Sequence, residues 1–309
     1  MISLQPIIAG IDFSEGSGAA LVRAADLAER LHVRLHVVYA QHNVEVHTDS
    51  VTAQEGGVGH SLKERVRDFA ARALGGLKAL EEIGPEVVVR HGEAPADALV
   101  GYAEEIGAGL VVVGTHGRRG MRHFLMGSVA EEVVRRAPCP VLTVPDAAAR
   151  TAPSPEAPVL VPVDFSEANG EALAAAGLIA AQFEAPLALV HVVEEPVPRP
   201  DFYVDVQGLV PMVTPVLKTA ARPAGAVARE LRRFGETANV DAADTHVRIG
   251  RADREIVALA EEIGAGLIAM ATQGLSGWEH AVLGSVTERV LRRAPCPVLS
   301  LRAVSGGDS

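Results

Sequence analysis

The chain repeats itself once, and the repeat is the size of a domain. Glu-Glu-Ile-Gly-Ala-Gly-Leu stands at Glu104–Leu110 and again at Glu261–Leu267. The sixteen-residue run that starts Gly127-Ser128-Val129 and ends Ala-Pro-Cys-Pro-Val-Leu returns from Gly284 with three substitutions. Ile11-Asp12-Phe13-Ser14-Glu15 is matched by Val163-Asp164-Phe165-Ser166-Glu167. The period is about half of the 309 residues, far longer than a solenoid unit. The expected organisation is a first domain over 1–147, an Ala/Pro/Ser-rich linker over 148–157, a second domain over 158–303 and a short tail over 304–309.

Within each copy, short apolar runs alternate with helical stripes. The first half offers strands at Ile7–Ile11, Leu35–Tyr39, Val87–Val89, Leu110–Val113 and Val141–Val144. Between them, Leu21, Ala24, Ala28 and Leu31 stripe a first helix, and Leu62, Val66, Phe69, Ala73, Leu77 and Leu80 mark one long second helix. Leu99, Ala103 and Ile106 stripe a third, and Val129–Ala137, stopped by Pro138, is the fourth. The second half repeats the scheme, with strands near Leu160–Val163, Leu187–Val193, Thr245–Ile249, Leu267–Met270 and Val298–Leu301. Alternation of this kind implies right-handed crossovers and a parallel sheet covered on both faces. Aromatics are only 4% of the chain, which suits Val/Leu/Ala packing better than an aromatic-anchored sandwich. The fold class read here is α/β: two tandem five-stranded parallel-sheet sandwiches, flavodoxin-like, in strand order 3-2-1-4-5. Ligands of such sheets sit at the switch point, where strands one and four end. The fifth strand is an edge in each half, and unpaired edges invite pairing. The two strand-five edges are expected to meet as a pseudo-symmetric intrachain dimer, with a homodimer of chains beyond it.

The formal net charge of -11 excludes the broad basic footprint of non-specific nucleic-acid binding but not an anionic small ligand. No apolar run reads as a membrane span: Ala172–Val193 is interrupted by Gln182, Glu184 and Pro186. The start of the chain has no signal-like core. Two cysteines, Cys139 and Cys296, occupy matching places and make no disulfide framework, which favours a cytoplasmic setting.

Strand four of the first half runs into Gly114-Thr115-His116-Gly117, and Gly127-Ser128 opens the next helix. Glycines let backbone approach an anion closely, and a helix start offers unpaired N–H groups with a positive dipole end. Together they make a phosphate seat. Arg118, Arg119, Arg122 and His123 add charge between the glycines. Ser128 with Glu131, and Ser285 with Glu288, equally spell a capping box that needs no ligand. The repetition of the whole spacing, each time after a strand and before a helix, favours the ligand.

The spacing Gly114-x2-Gly117-x9-Gly127-Ser128 resembles the ATP-binding motif of the universal stress protein family. Asp-Phe-Ser after strand one, Leu-His-Val in strand two and the closing Ala-Pro-Cys-Pro-Val-Leu resemble that family too, and the likeness covers nearly all of both halves. The resemblance implies ATP as the bound group, with or without magnesium. It implies that Asp12 and the backbone of Val37 face the adenosine part. Gly114, His116, Gly117, Gly127, Ser128 and Val129 would then line ribose and phosphates. The second half keeps Asp164, Val192, Gly274, Gly284, Ser285 and Val286 but carries Ala271 and Gln273 where the first has Gly114 and His116. An alanine methyl there is expected to crowd the ligand or resist the backbone angle, so the first site should bind more tightly.

Asp12 and Asp164 read either as ligand contacts or as Asx turns before a helix, and the switch-point position tips the reading to the ligand. His42, His47 and His60 share a loop without metal-ligand spacing. There is no Walker A loop, since no Gly-Lys pair occurs, and no catalytic constellation. The function expected is ATP-binding regulation of the stress-response type, with occupancy modulating assembly or partner binding. A slow ATP-hydrolysing or adenylating enzyme and a structural dimer module without nucleotide are the alternatives.

Overall fold

The central strands are runs of mostly Val, Ile, Leu and Ala buried on both faces, as in Ile7–Ile11 and Leu110–Val113, and such runs belong inside a parallel sheet. The computed structural model of the chain describes residues 4–41, 61–91, 94–115, 126–145, 152–194, 224–237, 244–272 and 283–301. In the first half the elements are β1 (Ile7–Ile11), α1 (Glu15–Leu31), β2 (Leu35–Gln41), α2 (Leu62–Ala73), α3 (Leu77–Ile83), β3 (Glu86–His91), α4 (Pro95–Ile106), β4 (Leu110–Gly114), α5 (Ser128–Arg136) and β5 (Val141–Val144). The second half has β6 (Val159–Pro162), α6 (Glu167–Gln182), β7 (Leu187–Val193), α7 (Ala224–Thr237), β8 (Asp244–Ile249), α8 (Ala252–Glu262), β9 (Leu267–Ala271), α9 (Ser285–Leu291) and β10 (Val298–Leu301).

Each half has the order 3-2-1-4-5, and the two halves form one continuous ten-stranded sheet, β3-β2-β1-β4-β5-β10-β9-β6-β7-β8. All pairings within a half are parallel. The seam between β5 and β10 is antiparallel, with Leu142 opposite Leu299 at its centre. Thr143 Oγ1 donates to the Val298 carbonyl (3.2 Å) and Ser300 Oγ to the Val141 carbonyl (3.1 Å). The two hydroxyls are equivalent positions of the repeat, so the seam is self-complementary about a local two-fold axis. On one face Arg30 of α1 lies over the Phe183 ring (4.3 Å) and donates to the Gln182 carbonyl. On the other, Arg292 of α9 reaches Glu131 of α5 at 3.3 Å.

Two apolar layers flank the sheet, and each runs across the seam. One packs α1, α2, α6 and α7 against β1, β5 and β10; the other packs α4, α5, α8 and α9 against the opposite face. The expected single long helix over residues 62–80 is two, α2 and α3. Gly75 and Gly76, at φ +93° and +138°, break it, because those angles are outside the helical region and suit only glycine. Pro95 opens α4 at its first turn and Gly107 closes it at φ +60°.

One polar pair is buried in the first half alone. His36 on β2 holds the Tyr102 hydroxyl 2.8 Å from Nδ1, while its Nε2 is buried without a hydrogen-bond partner. Ala188 stands at the equivalent strand position. Burial holds the His36 pKa below its ordinary 6.5, against the upward pull of Glu86; Arg34 adds a smaller downward push. The unfolded imidazole takes its proton near 6.5, so just below that pH the unfolded state binds more protons than the folded one. Stability from this site is therefore full above about pH 6.5 and is lost as pH falls through the window below it. His36→Gln should narrow the difference in melting temperature between about pH 7.5 and about pH 5.5. A pH dependence identical to wild type would count against this account.

Candidate functional site

The C-terminal ends of β1 and β4 lie side by side, as parallel pairing of Ile7–Ala9 with Leu110–Val112 requires. Beyond β1, the Asp12 carboxylate accepts the Ser14 N–H (3.0 Å) and the Ser14 hydroxyl (2.5 Å). Ser14 Oγ in turn accepts the Ser17 N–H as the cap of α1. Asp164 accepts the Ser166 N–H (2.9 Å) in the same way. The Asx turn is thus formed in both halves, and Asp12 sits in it at the rim of the switch point.

The residue between them was not singled out by the sequence reading. Phe13 and Phe165 adopt φ +65° and +63°, a left-handed conformation that costs a non-glycine residue about 1 kcal/mol or more. Aromatic packing holds each one there. Phe13 stacks on Tyr39 (4.7 Å) and meets Phe69 edge-on (5.4 Å); Phe165 meets His191 (4.7 Å) and Phe234 (5.9 Å). Recurrence of Asp-Phe-Ser in both copies was the available signal.

That pairing also fixes the strand-two register. Tyr39 and His191 are equivalent, so Val192 corresponds to Ala40. Val37 is three residues lower, fully buried, with Ala9 and Val87 on its two flanks in the sheet. Parallel pairing on both sides flanks the Val37 backbone, and Ala40 lies half-buried nearer the strand end.

After β4, Thr115 is buried, and its carbonyl accepts the Gly127 N–H at 2.7 Å. The residues flanking 116–125 are therefore held together. Gly284 N–H repeats this on the Thr272 carbonyl (2.8 Å). A Cβ on Gly127 would lie 3.2 Å from the Thr115 oxygen, and one on Gly284 3.0 Å from that of Thr272. These glycines permit the close approach.

The capping boxes spelled by Ser128–Glu131 and Ser285–Glu288 do not form. Gly127 is the N-cap of α5, at φ −63° and ψ 145°, and no side chain caps the helix. Ser128 is its first residue and is exposed; Val129 is half-buried. The Glu131 N–H bonds the Gly127 carbonyl as the first intrahelical bond, so the amides of Ser128, Val129 and Ala130 precede the ladder. The Glu131 carboxylate turns away to Arg135 (2.9 Å) and Arg292 (3.3 Å). Gly284 begins α9 likewise, with Ser285 exposed, Val286 half-buried and Glu288 on Arg292 (2.9 Å). What stands at the rim is a bare helix start beside the Asp12 turn, a geometry suited to an anion.

Gly114 also has a packing reason to be glycine. A Cβ there would fall 2.7 Å from the Gly16 backbone carbon and 2.8 Å from its oxygen. Its missing side chain lets α1 approach β4. Ala271, its counterpart, is the buried last residue of β9 and is not among the residues with positive φ. The expected strained backbone angle at Ala271 is therefore absent. His116, Gly117, Gly274 and Gln273 lie outside the described residues, as do Arg118, Arg119, Arg122, His123 and the histidines at 42, 47 and 60.

Burial pushes the Cys139 and Cys296 thiols up to about 12, which makes them packing residues rather than nucleophiles. Among the described residues no group of three His, Cys, Asp or Glu is placed to hold a metal ion, and no helix is long and apolar enough to cross a membrane.

The universal stress protein family model matches residues 3–145 and 157–302. A universal stress protein of Mycolicibacterium smegmatis is 28% identical over 308 residues, covering 96% of this chain and 96% of its own. Universal stress protein YxiE of Bacillus subtilis is 31% identical over 147 residues, which is 45% of this chain and 97% of YxiE. Among solved structures, a universal stress protein from Archaeoglobus fulgidus superposes with a TM-score of 0.63 at 19% identity, covering 96% of this chain and 98% of that one. At that identity the likeness is one of fold.

Proposed function

Since the chain belongs to the universal stress protein family over both of its halves, we propose that it is an adenine-nucleotide-binding regulator whose first half holds ATP. The observation that carries this reading is the uncapped start of α5, set at the rim where β1 and β4 end. In this reading the amides of Ser128 and Val129 hold phosphate oxygens, His116 and Gly117 contribute to the same site, and Asp12 and the strand end at Ala40 meet the nucleoside. Magnesium, where present, rides with the polyphosphate. Asp164, Val192, Gly274, Gly284, Ser285 and Val286 form the weaker second site. Occupancy sets assembly or partner binding, in a cytoplasmic setting. The seam already uses both strand-five edges, so a homodimer assembles through another surface.

The test exploits the local backbone. Gly127 already lies in the extended region that a following proline prefers, and proline is tolerated at the first helical position. Ser128→Pro therefore deletes one amide donor while leaving the helix intact. Hydrogen bonds to charged groups are worth about 1.5–3 kcal/mol, so calorimetric ATP titration should show affinity at least roughly tenfold weaker, with the melting temperature preserved. Absence of ATP binding by the wild-type chain would sink the reading.

A further inference from the structure

The first turn of α5 carries an acidic residue, held off the helix start by its partners. Glu131 lies three residues past Ser128, about 4.5 Å along the axis at the helical rise, and helical side chains lean back toward the N-terminus. Its carboxylate is only partly exposed and would repel a polyphosphate seated on the first turn. Two guanidiniums cover it. Arg135 comes from its own helix at 2.9 Å, and Arg292 comes from the other half of the molecule at 3.3 Å, while also holding Glu288 at 2.9 Å. The equivalence is not symmetric: Arg135 is the repeat counterpart of Arg292, yet among the described contacts it pairs only with Glu131. Arg135, Glu131, Arg292 and Glu288 form a chain of two cations and two anions, and Arg292 is the member that spans the seam.

We propose that Arg292 is a positioning residue for the first-half phosphate seat, through which the second half sets the anion affinity of the first. This rests on the functional reading given above. With Arg292 present, the charge between the two helices is balanced. Without it, one net negative charge remains next to the seat, and Glu131 is free to lean toward the first-turn amides and compete with phosphate for them.

Calorimetric titration of the full chain with ATP tests this. Arg292→Gln should weaken binding roughly threefold to tenfold at low ionic strength, and the loss should shrink in about 0.5 M salt, where exposed charges are screened beyond a few ångströms. Arg292→Lys should retain most of the affinity. Glu131→Gln in the Arg292→Gln background should restore it, because the charge being covered is then gone. Restoration and salt dependence are responses that a merely structural role for Arg292 does not produce. Unchanged affinity in Arg292→Gln overturns the inference alone. A loss that is insensitive to salt and not rescued by Glu131→Gln overturns it also, since it would report a disturbed seam. If the wild-type chain binds no ATP, the functional reading fails and this inference fails with it.

Discussion

Leu299→Ala should cost the protein about 2–5 kcal/mol, and the loss should be felt in both halves. Leu299 is fully buried and lies opposite Leu142, itself 2% exposed, at the centre of the β5–β10 seam. Both belong to one apolar layer that continues from α1 to α6 without a break at the linker. Removing the side chain leaves a cavity at a point where two backbones are fixed by ladder hydrogen bonds and by the Thr143 and Ser300 hydroxyls. The site has little room to collapse, which places the cost toward the upper part of that range. Leu142→Ala should match it closely. Urea unfolding followed by circular dichroism should show one cooperative transition moved to lower denaturant. Two separate transitions, with only the second-half one displaced, would show that the layers are not shared.

Gly114→Ala is expected to destabilise by about 1–3 kcal/mol, the usual range for overpacking. The added methyl meets the backbone of Gly16 and Ser17, and backbone cannot rotate aside as a side-chain tip can. To fit it, α1 must lift from β4, and that helix carries the Ser14 cap and the Asp12 turn at its start. ATP affinity should therefore fall together with stability. Thermal unfolding with and without ATP separates the two accounts. Weakened ATP binding at an unchanged melting temperature would return Gly114 to the role of a pure ligand contact.

The repeat, the ten strands and the meeting of the strand-five edges were legible because they depend on hydrophobic period and on the logic of sheet edges. β1, β5, β7 and β10 run over the very residues expected. The details of the site were less legible, for physical reasons. Ser-x-x-Glu at 128–131 spells a cap, but the N-cap falls one residue earlier, at Gly127, and Glu131 pairs with Arg135 and, across the seam, with Arg292. Val37 lies within the paired part of β2, a position that strand pairing rather than local composition sets. The packing role of Gly114 was not legible, because the direction of a missing Cβ is invisible until α1 is in place. Phe13 at φ +65° violates the local preference of its residue type, and Tyr39 and Phe69, distant in sequence, help make it tenable.

A seam made inside one chain has a consequence for how the molecule can change. Two separate subunits meeting about an axis must carry every substitution twice, once on each side. Here the halves are tethered, so dilution does not part them, and each side of the axis is inherited on its own. Arg292 can bridge while Arg135 does not, and Ala271 can replace glycine in one half while Gly114 stays in the other. Covalent linkage is what allows one copy to specialise while the other holds it in shape.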